Sequence, residues 1–264
     1  MSERYSLEKI REYWDAQARM HGEAHEASWS DRPVIEMEIA EILRHLEDGD
    51  RVLDVGCANG FSTVQYAAQR GVRVRGVDFI PAMIESARSR MASLPPLPGS
   101  LEFQVGDVMS LDEPAAAYDK VITTRVLINL HPWEKQRAAI NECIRVLRAG
   151  GLLILSEATL QGWERLNRFR SEWGLPEIPV PPFNSYLDEQ LLLSEFVREL
   201  ELVAIKNFSS TYYVGTRVIK PIIAQLLGRG TSVADPLMEW NHWFSQLPAC
   251  GDYGTQKLFV FRKH

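Results

Sequence analysis

Apolar residues recur along this chain with two alternating periods. Val34, Ile35, Ile39, Ile42, Leu43 and Leu46 follow helical spacing and predict a helix over residues 33–46, with Asp31 as its cap and Pro33 in its first turn. An earlier helix is predicted over residues 6–20. From Arg51 onward, short apolar runs alternate with helical segments. The pattern predicts strands at Arg51–Val55, Val72–Val77, Leu101–Val105, Asp119–Thr124 and Leu152–Glu157, and helices over 61–70, 81–91 and 133–147. Such an order calls for an α/β fold with a doubly wound parallel sheet and right-handed crossovers. The alternation then slackens. Residues 158–185 hold Trp163, Trp173 and a proline-rich stretch from Pro176 to Pro182. An apolar helix over 187–200 precedes a sixth strand, Glu201–Phe208. Residues 217–247 read as helical with a break at Gly228–Thr231, and Lys257–Phe261 alternates like a seventh strand. The long segments between the late strands exceed what connection requires. With the N-terminal helices, they are expected to cap the C-terminal edge of the sheet.

Composition narrows the partners. The chain has 264 residues, 45% hydrophobic and 24% charged, with a formal charge of −6. That suits one α/β domain with insertions. No dense Lys/Arg run is present, which argues against a nucleic-acid partner. Three cysteines without regular spacing make no disulfide framework, so a reducing cytoplasm is expected. Residues Met1–Tyr5 lack an apolar signal core, and runs such as Gly151–Leu155 are too short to span a bilayer. A small molecule is the expected partner, bound by a monomer or a homodimer.

The candidate chemistry sits at the strand ends. Val52-Leu53-Asp54-Val55-Gly56-Cys57-Ala58-Asn59-Gly60 is a strand followed by a small-residue turn, and a helix begins at Phe61. Backbone can approach a nucleotide-like ligand closely there. Asp54 is the unusual member. A carboxylate beside a pyrophosphate loop would repel its ligand. It suits a ligand with positive charge, and S-adenosylmethionine carries an amino group and a sulfonium but no phosphate. Strand two ends in Gly76-Val77-Asp78-Phe79-Ile80, and Asp78 follows Gly56 by 22 positions. An acidic residue about 20 positions beyond the glycine turn can bond ribose hydroxyls. Strand three is followed by Gly106-Asp107-Val108, whose carboxylate could accept from an adenine amino group. Strand four runs into Arg125-Val126-Leu127-Ile128-Asn129-Leu130-His131.

Taken together, these strand ends make the chain resemble the class I S-adenosylmethionine-dependent methyltransferases, in particular the small-molecule branch with a cap. The resemblance covers about residues 50–158. It implies that the loop with Asp54, Gly56, Cys57, Ala58 and Gly60 holds the methionine part of the cofactor, and that Asp78 binds the ribose. It also implies that Phe79 and Ile80 flank the adenine, that Asp107 and Val108 contact its edge, and that Met83 and Arg125 belong to the cofactor site. Arg145–Gly151 matches the turn before strand five. Two positions depart from the family. Ala58 replaces the usual middle glycine, a mild change if the backbone there needs no positive φ. Ala149 stands where proline is common. The implied fold is the seven-stranded, mostly parallel Rossmann-like methyltransferase sheet, with its seventh strand antiparallel between strands five and six. The implied organisation is N-terminal lid helices over 1–48, a cofactor-binding core over 49–158, and late strands with helical cap insertions over 159–264.

Methyl transfer from a sulfonium is an in-line displacement, for which alignment and exclusion of water suffice. No covalent intermediate is expected. The transfer is expected to reach an O or N atom of a small molecule, with anionic metabolites and sugars among the candidates. Arg125 could clamp an acceptor carboxylate or phosphate, or could pair with a neighbouring aspartate. His131 and Glu157 are the candidate bases. His21 and His25 stand four apart, but no third ligand is evident and the reaction needs no metal, so none is expected. With Tyr13, Trp14 and Trp29, these histidines could instead form lid contacts. Trp163, Tyr186, Tyr212, Tyr213, Trp240 and Trp243 could line an aromatic pocket or simply pack in the core. Two other functions compete. An NAD-dependent oxidoreductase needs Gly-x-Gly-x-x-Gly at the first turn, where this chain has Gly-x-Ala-x-Gly. A non-catalytic cofactor-binding module would share the same cofactor residues. No Asn-Pro-Pro-Tyr or Asp-Pro-Pro-Tyr tetrad follows strand four, where Thr123-Thr124-Arg125-Val126 stands.

Overall fold

A computed structural model describes residues 4–228 and 235–264. Seven strands form one sheet: β1 (Arg51–Val55), β2 (Arg73–Asp78), β3 (Ser100–Val105), β4 (Tyr118–Thr124), β5 (Leu147–Ala158), β6 (Leu200–Lys206) and β7 (Gln256–Lys263). Their order is β3-β2-β1-β4-β5-β7-β6. The pairs from β3 through β5 are parallel, and β7 runs antiparallel to both β5 and β6, as the family resemblance implies.

Side-chain alternation assigns the two faces of the sheet. Leu53, Val121, Leu153, Leu155, Phe259 and Phe261 point to one face, under α5 (Trp133–Val146) and α7 (Glu189–Glu195). Val52, Ile122, Ile154, Leu258 and Val260 point to the other, under α2 (Arg32–Leu43) and Tyr66 of α3 (Phe61–Gln69). Burial on both faces explains why these strands read as continuous apolar runs. Near β2 and β3, α4 (Pro81–Ala92) packs Ile84 and Ala87 against Phe103. The first helix, α1 (Leu7–His21), is capped by the Ser6 hydroxyl and lies against α4.

The late segments depart most from the sequence pattern. An additional helix, α6 (Leu160–Glu172), starts at Thr159, whose hydroxyl accepts from the Gly162 amide. The helix predicted over 187–200 shrinks to α7, capped by Asp188. Helical structure resumes earlier than expected, in α8 (Ser210–Tyr213). It continues through a π-helical stretch, Val214–Ile219, into α9 (Lys220–Leu226). A short α10 (Glu239–Ser245) follows. Residues 229–231 of the predicted break lie outside the described residues, as do Met1–Glu3 of the segment read for a signal core. Asp31 stands at the start of α2, but its side chain makes no capping bond. Its carboxylate is buried instead, accepting from the Tyr212 hydroxyl at 2.7 Å and pairing with Arg217, which ties α2 to α8 and the π-helical stretch. Among the described residues, no helix is long and apolar enough to cross a membrane.

Candidate functional site

A cavity of about 360 Å³ opens where β1, β2, β3 and β4 end. Its floor is the turn after β1. The amides of Gly56 and Cys57 both donate to the Val77 carbonyl, at 2.7 and 3.0 Å, which folds the turn back over β2. Gly56 is required twice over. Its φ is +75°, and a Cβ there would stand 2.0 Å from Cγ2 of Val126. Cys57 is buried against Phe103, where a small side chain fits. Ala58 corrects an expectation: its φ is +47°, in the left-handed region, so the alanine that replaces the usual glycine carries strain. The Asn59 side chain donates to the carbonyls of Gly22 and Ala24, at 2.9 and 2.7 Å, and so fastens the turn to the end of α1. Leu7, Ile10 and Trp14 of α1 form the opposite wall.

Besides Glu8 of α1, three carboxylates meet this cavity from three successive strand ends. Asp54 is 2% exposed and accepts from the Thr63 hydroxyl at 2.6 Å. Burial pushes its pKa up to about 7, against the pull of that hydrogen bond. Asp78 accepts from the Ala58 amide on one oxygen (3.0 Å) and from the Ile80 amide on the other (2.9 Å). Burial raises its pKa to about 6, opposed by these two bonds. Asp78 thus pins the left-handed turn to β2 and still presents lone pairs to the cavity. Asp107 accepts from the Met109 amide at 2.9 Å, shaping the turn after β3. Phe79, Ile80, Met83 and Val108 supply apolar wall between the carboxylates, and Arg11 of α1 lies 5.9 Å from the Phe79 ring.

A methyltransferase-domain family model matches residues 52–151, the segment that builds this floor. The O-methyltransferase resE of Aspergillus sclerotiorum is 30% identical over 202 residues, which is 71% of this chain and 73% of that protein. This chain belongs to the class I S-adenosylmethionine-dependent methyltransferases. The 27-O-demethylrifamycin SV methyltransferase of Amycolatopsis mediterranei is 34% identical over 115 residues, covering 44% of this chain and 41% of that protein. The fold agrees with the magnesium protoporphyrin IX methyltransferase of Synechocystis, solved with S-adenosylhomocysteine. Its TM-score is 0.63 at 16% identity, over 98% of this chain and all of that one. Membership in this family removes the oxidoreductase alternative.

Three acceptor-side candidates take different places in the methyltransferase. Arg125 does line the cavity, with a left-handed φ of +56°. Its guanidinium pairs with Glu38 and stacks 5.0 Å from the Trp29 ring, so its partner is a glutamate of α2 and not a neighbouring aspartate. Glu38 is fully buried and also accepts from Ser156 and from Gln256, the latter at 3.0 Å, joining α2 to β5 and β7. His131 does not reach the cavity. Its Nε2 donates to the Tyr5 carbonyl at 2.5 Å and anchors the segment before α1. Glu157 is fully buried and also away from the cavity. It accepts from the Thr123 hydroxyl and from the amides of Val126, Leu127 and Ile128. Burial pushes its pKa up to about 7, opposed by those donors. Both candidate bases are therefore scaffolding for the turn after β4 and for α1.

The expected lid contacts divide. Trp14 lines the cavity and donates from Nε1 to Asn129 at 3.2 Å, while the Asn129 amide donates to the Arg125 carbonyl at 2.7 Å. Tyr13 stacks on Phe183 at 4.5 Å. His21 and His25 do not share a helix: Gly22 ends α1, and the His25 imidazole faces Glu26. No group of potential metal ligands occurs among the described residues. The proposed aromatic pocket does not form around the cavity. Tyr212 and Tyr213 are core, Trp163 and Trp240 bond backbone carbonyls, Tyr186 is half-buried apart from the cavity, and Trp243 is exposed.

Sequence reasoning missed Glu38, although a signal was present. It sits four residues from both Val34 and Ile42, on the buried stripe of α2. A carboxylate on an apolar stripe needs a cationic or hydrogen-bonding partner.

Proposed function

We propose that this methyltransferase transfers a methyl group from S-adenosylmethionine to an oxygen or nitrogen of a small, uncharged acceptor in the cytoplasm. The observation that carries the cofactor assignment is the meeting of three carboxylates from successive strand ends in one cavity of about 360 Å³. Bound there, the cofactor supplies a methyl group on a cationic sulfur. Asp54 and the Gly56–Gly60 turn would hold its charged amino acid end, Asp78 its ribose, and Asp107 with the apolar wall its base. The donor set fits such a ligand: acceptors dominate, and the turn itself carries no basic side chain of the kind a pyrophosphate needs. Trp14 and its neighbours on α1 exclude water from the far side. The acceptor class follows from Arg125. Its charge is already met by Glu38, and among the lining residues the carboxylates (Glu8, Asp54, Asp78 and Asp107) outnumber the cations (Arg11 and Arg125), which disfavours an anionic acceptor.

The test supplies tritium-labelled S-adenosylmethionine and a fractionated cell extract. Label is expected in small neutral molecules. Label confined to nucleic acid, protein or anionic metabolites would refute the acceptor assignment. Calorimetry with S-adenosylhomocysteine and NAD tests the cofactor separately, and binding of NAD alone would refute it.

A further inference from the structure

The outer edge of the sheet is formed by β6, and no described strand pairs on its far side. Natural edges are usually blunted by charge, proline or a bulge. This one carries a bulge, where the register against β7 shifts between Leu202 and Ala204. The bulge does not hide the edge. Leu202 stands opposite Phe261 and Ile205 opposite Phe259, so two residues three apart share the face that bears α5. Leu202, Val203 and Ile205 are 40% to 46% exposed, an unusual run of apolar residues on an open strand.

The charges at its two ends are complementary. Glu201 and Lys206 are both exposed, and neither takes part in an ion pair among the described residues. An antiparallel match of the strand with itself, centred between Val203 and Ala204, sets Glu201 opposite Lys206 and Leu202 opposite Ile205. The faces agree as well. Glu201 and Lys206 pair with Arg262 and Leu258, which share one face of β7, while Leu202 and Ile205 share the other. Residues directly opposite must lie on the same face. A two-fold axis repeats each contact, giving two charge pairs and two apolar pairs.

We propose that β6 is a homodimer interface, in which a second copy of this chain adds its own β6 antiparallel across a two-fold axis. The self-match in charge, in apolar residues and in pleat favours a second copy over an unrelated partner. The dimer joins two seven-stranded sheets into one and leaves both cavities free, since none of the cavity residues lies on β6.

Sedimentation velocity on the full chain, over a wide range of concentration, tests this directly. The wild type is expected to sediment as a dimer. Glu201→Lys and Lys206→Glu should each weaken it at least tenfold by juxtaposing like charges. The double variant Glu201→Lys with Lys206→Glu should dimerise like the wild type. Circular dichroism of each variant checks that the fold is kept. A wild type that stays monomeric throughout overturns the proposal. So do single variants that dimerise normally, and so does a double variant that does not recover.

Discussion

Asp78 offers the sharpest measurement because it makes two kinds of bond. Replacing it with alanine removes the acceptor for the Ala58 and Ile80 amides and the proposed acceptor for the ribose. Each amide left unmet away from water costs about 1–3 kcal/mol. An opposing effect comes from the carboxylate itself, whose pKa rises from 3.8 to about 6 on burial. That rise corresponds to roughly 3 kcal/mol in favour of the protonated form, a penalty that alanine escapes above pH 6. Two unmet amides cost about 2–6 kcal/mol against that roughly 3 kcal/mol, so the ligand-free protein should fall between a gain of about 1 and a loss of about 3 kcal/mol in stability. Ligand affinity has no such offset. Loss of the ribose bonds should weaken S-adenosylhomocysteine by about 1–3 kcal/mol, or roughly 5- to 150-fold in Kd. Calorimetry with the 2′-deoxy analogue separates the ribose contribution from a general disturbance of the turn. The wild type should prefer the ribose form by a similar factor, and Asp78→Ala should scarcely distinguish the two. A variant that keeps the full preference would refute the ribose assignment. The pH dependence supplies a second check. Because the folded pKa lies above the unfolded one, the proton on Asp78 contributes fully below about pH 3.8. That contribution is lost as pH rises through 6. The variant should therefore show a flatter stability profile over that window.

Other consequences follow from the same turn. Ala58→Gly relieves a left-handed alanine but adds freedom to the unfolded chain, so denaturant unfolding should show a gain of about 0–1 kcal/mol. Gly56→Ala should destabilise by about 2–5 kcal/mol through its φ and its collision with Val126, and adding Val126→Ala should recover part of the loss. Asp54 titrates near pH 7, and a cationic ligand favours its charged form. Calorimetry in buffers of different ionisation heat should detect proton release on binding, with affinity rising as pH climbs through about 7 and then levelling. Affinity that stays flat over that range would refute contact between Asp54 and the cationic end.

The central sheet was legible because its strands are buried on both faces and carry β-branched runs between clear turns. β1 matches its expected limits, Arg51–Val55, while β5 begins earlier, at Leu147, since its first residues pair with Tyr118 across a bulge. The late helices were harder. Trp163 and the prolines from 176 onward mask α6, whose spacing is helical and whose cap is Thr159. Ser210–Thr216 is rich in residues that favour strands, yet packing around Tyr212 makes it helical. The carboxylates of the cavity could be found from strand ends alone. The roles of His131 and Glu157 could not, because each is fixed by a partner distant in sequence: Tyr5 for one, the turn at 126–128 for the other.

The position of β7 also governs how the molecule comes to be. It follows both of its neighbours in the chain yet lies between them, and it is the strand through which β6 joins β5. During synthesis, β1 to β5 can zip together in order as parallel units emerge. β6 must wait, without its strand partner, until residues 256–263 leave the ribosome. Gln256, at the head of β7, also completes the bonds around Glu38, on a helix made more than two hundred residues earlier. Completion of the sheet is thus a late, long-range event, and the interval before it is when the nascent chain is most exposed to misassociation.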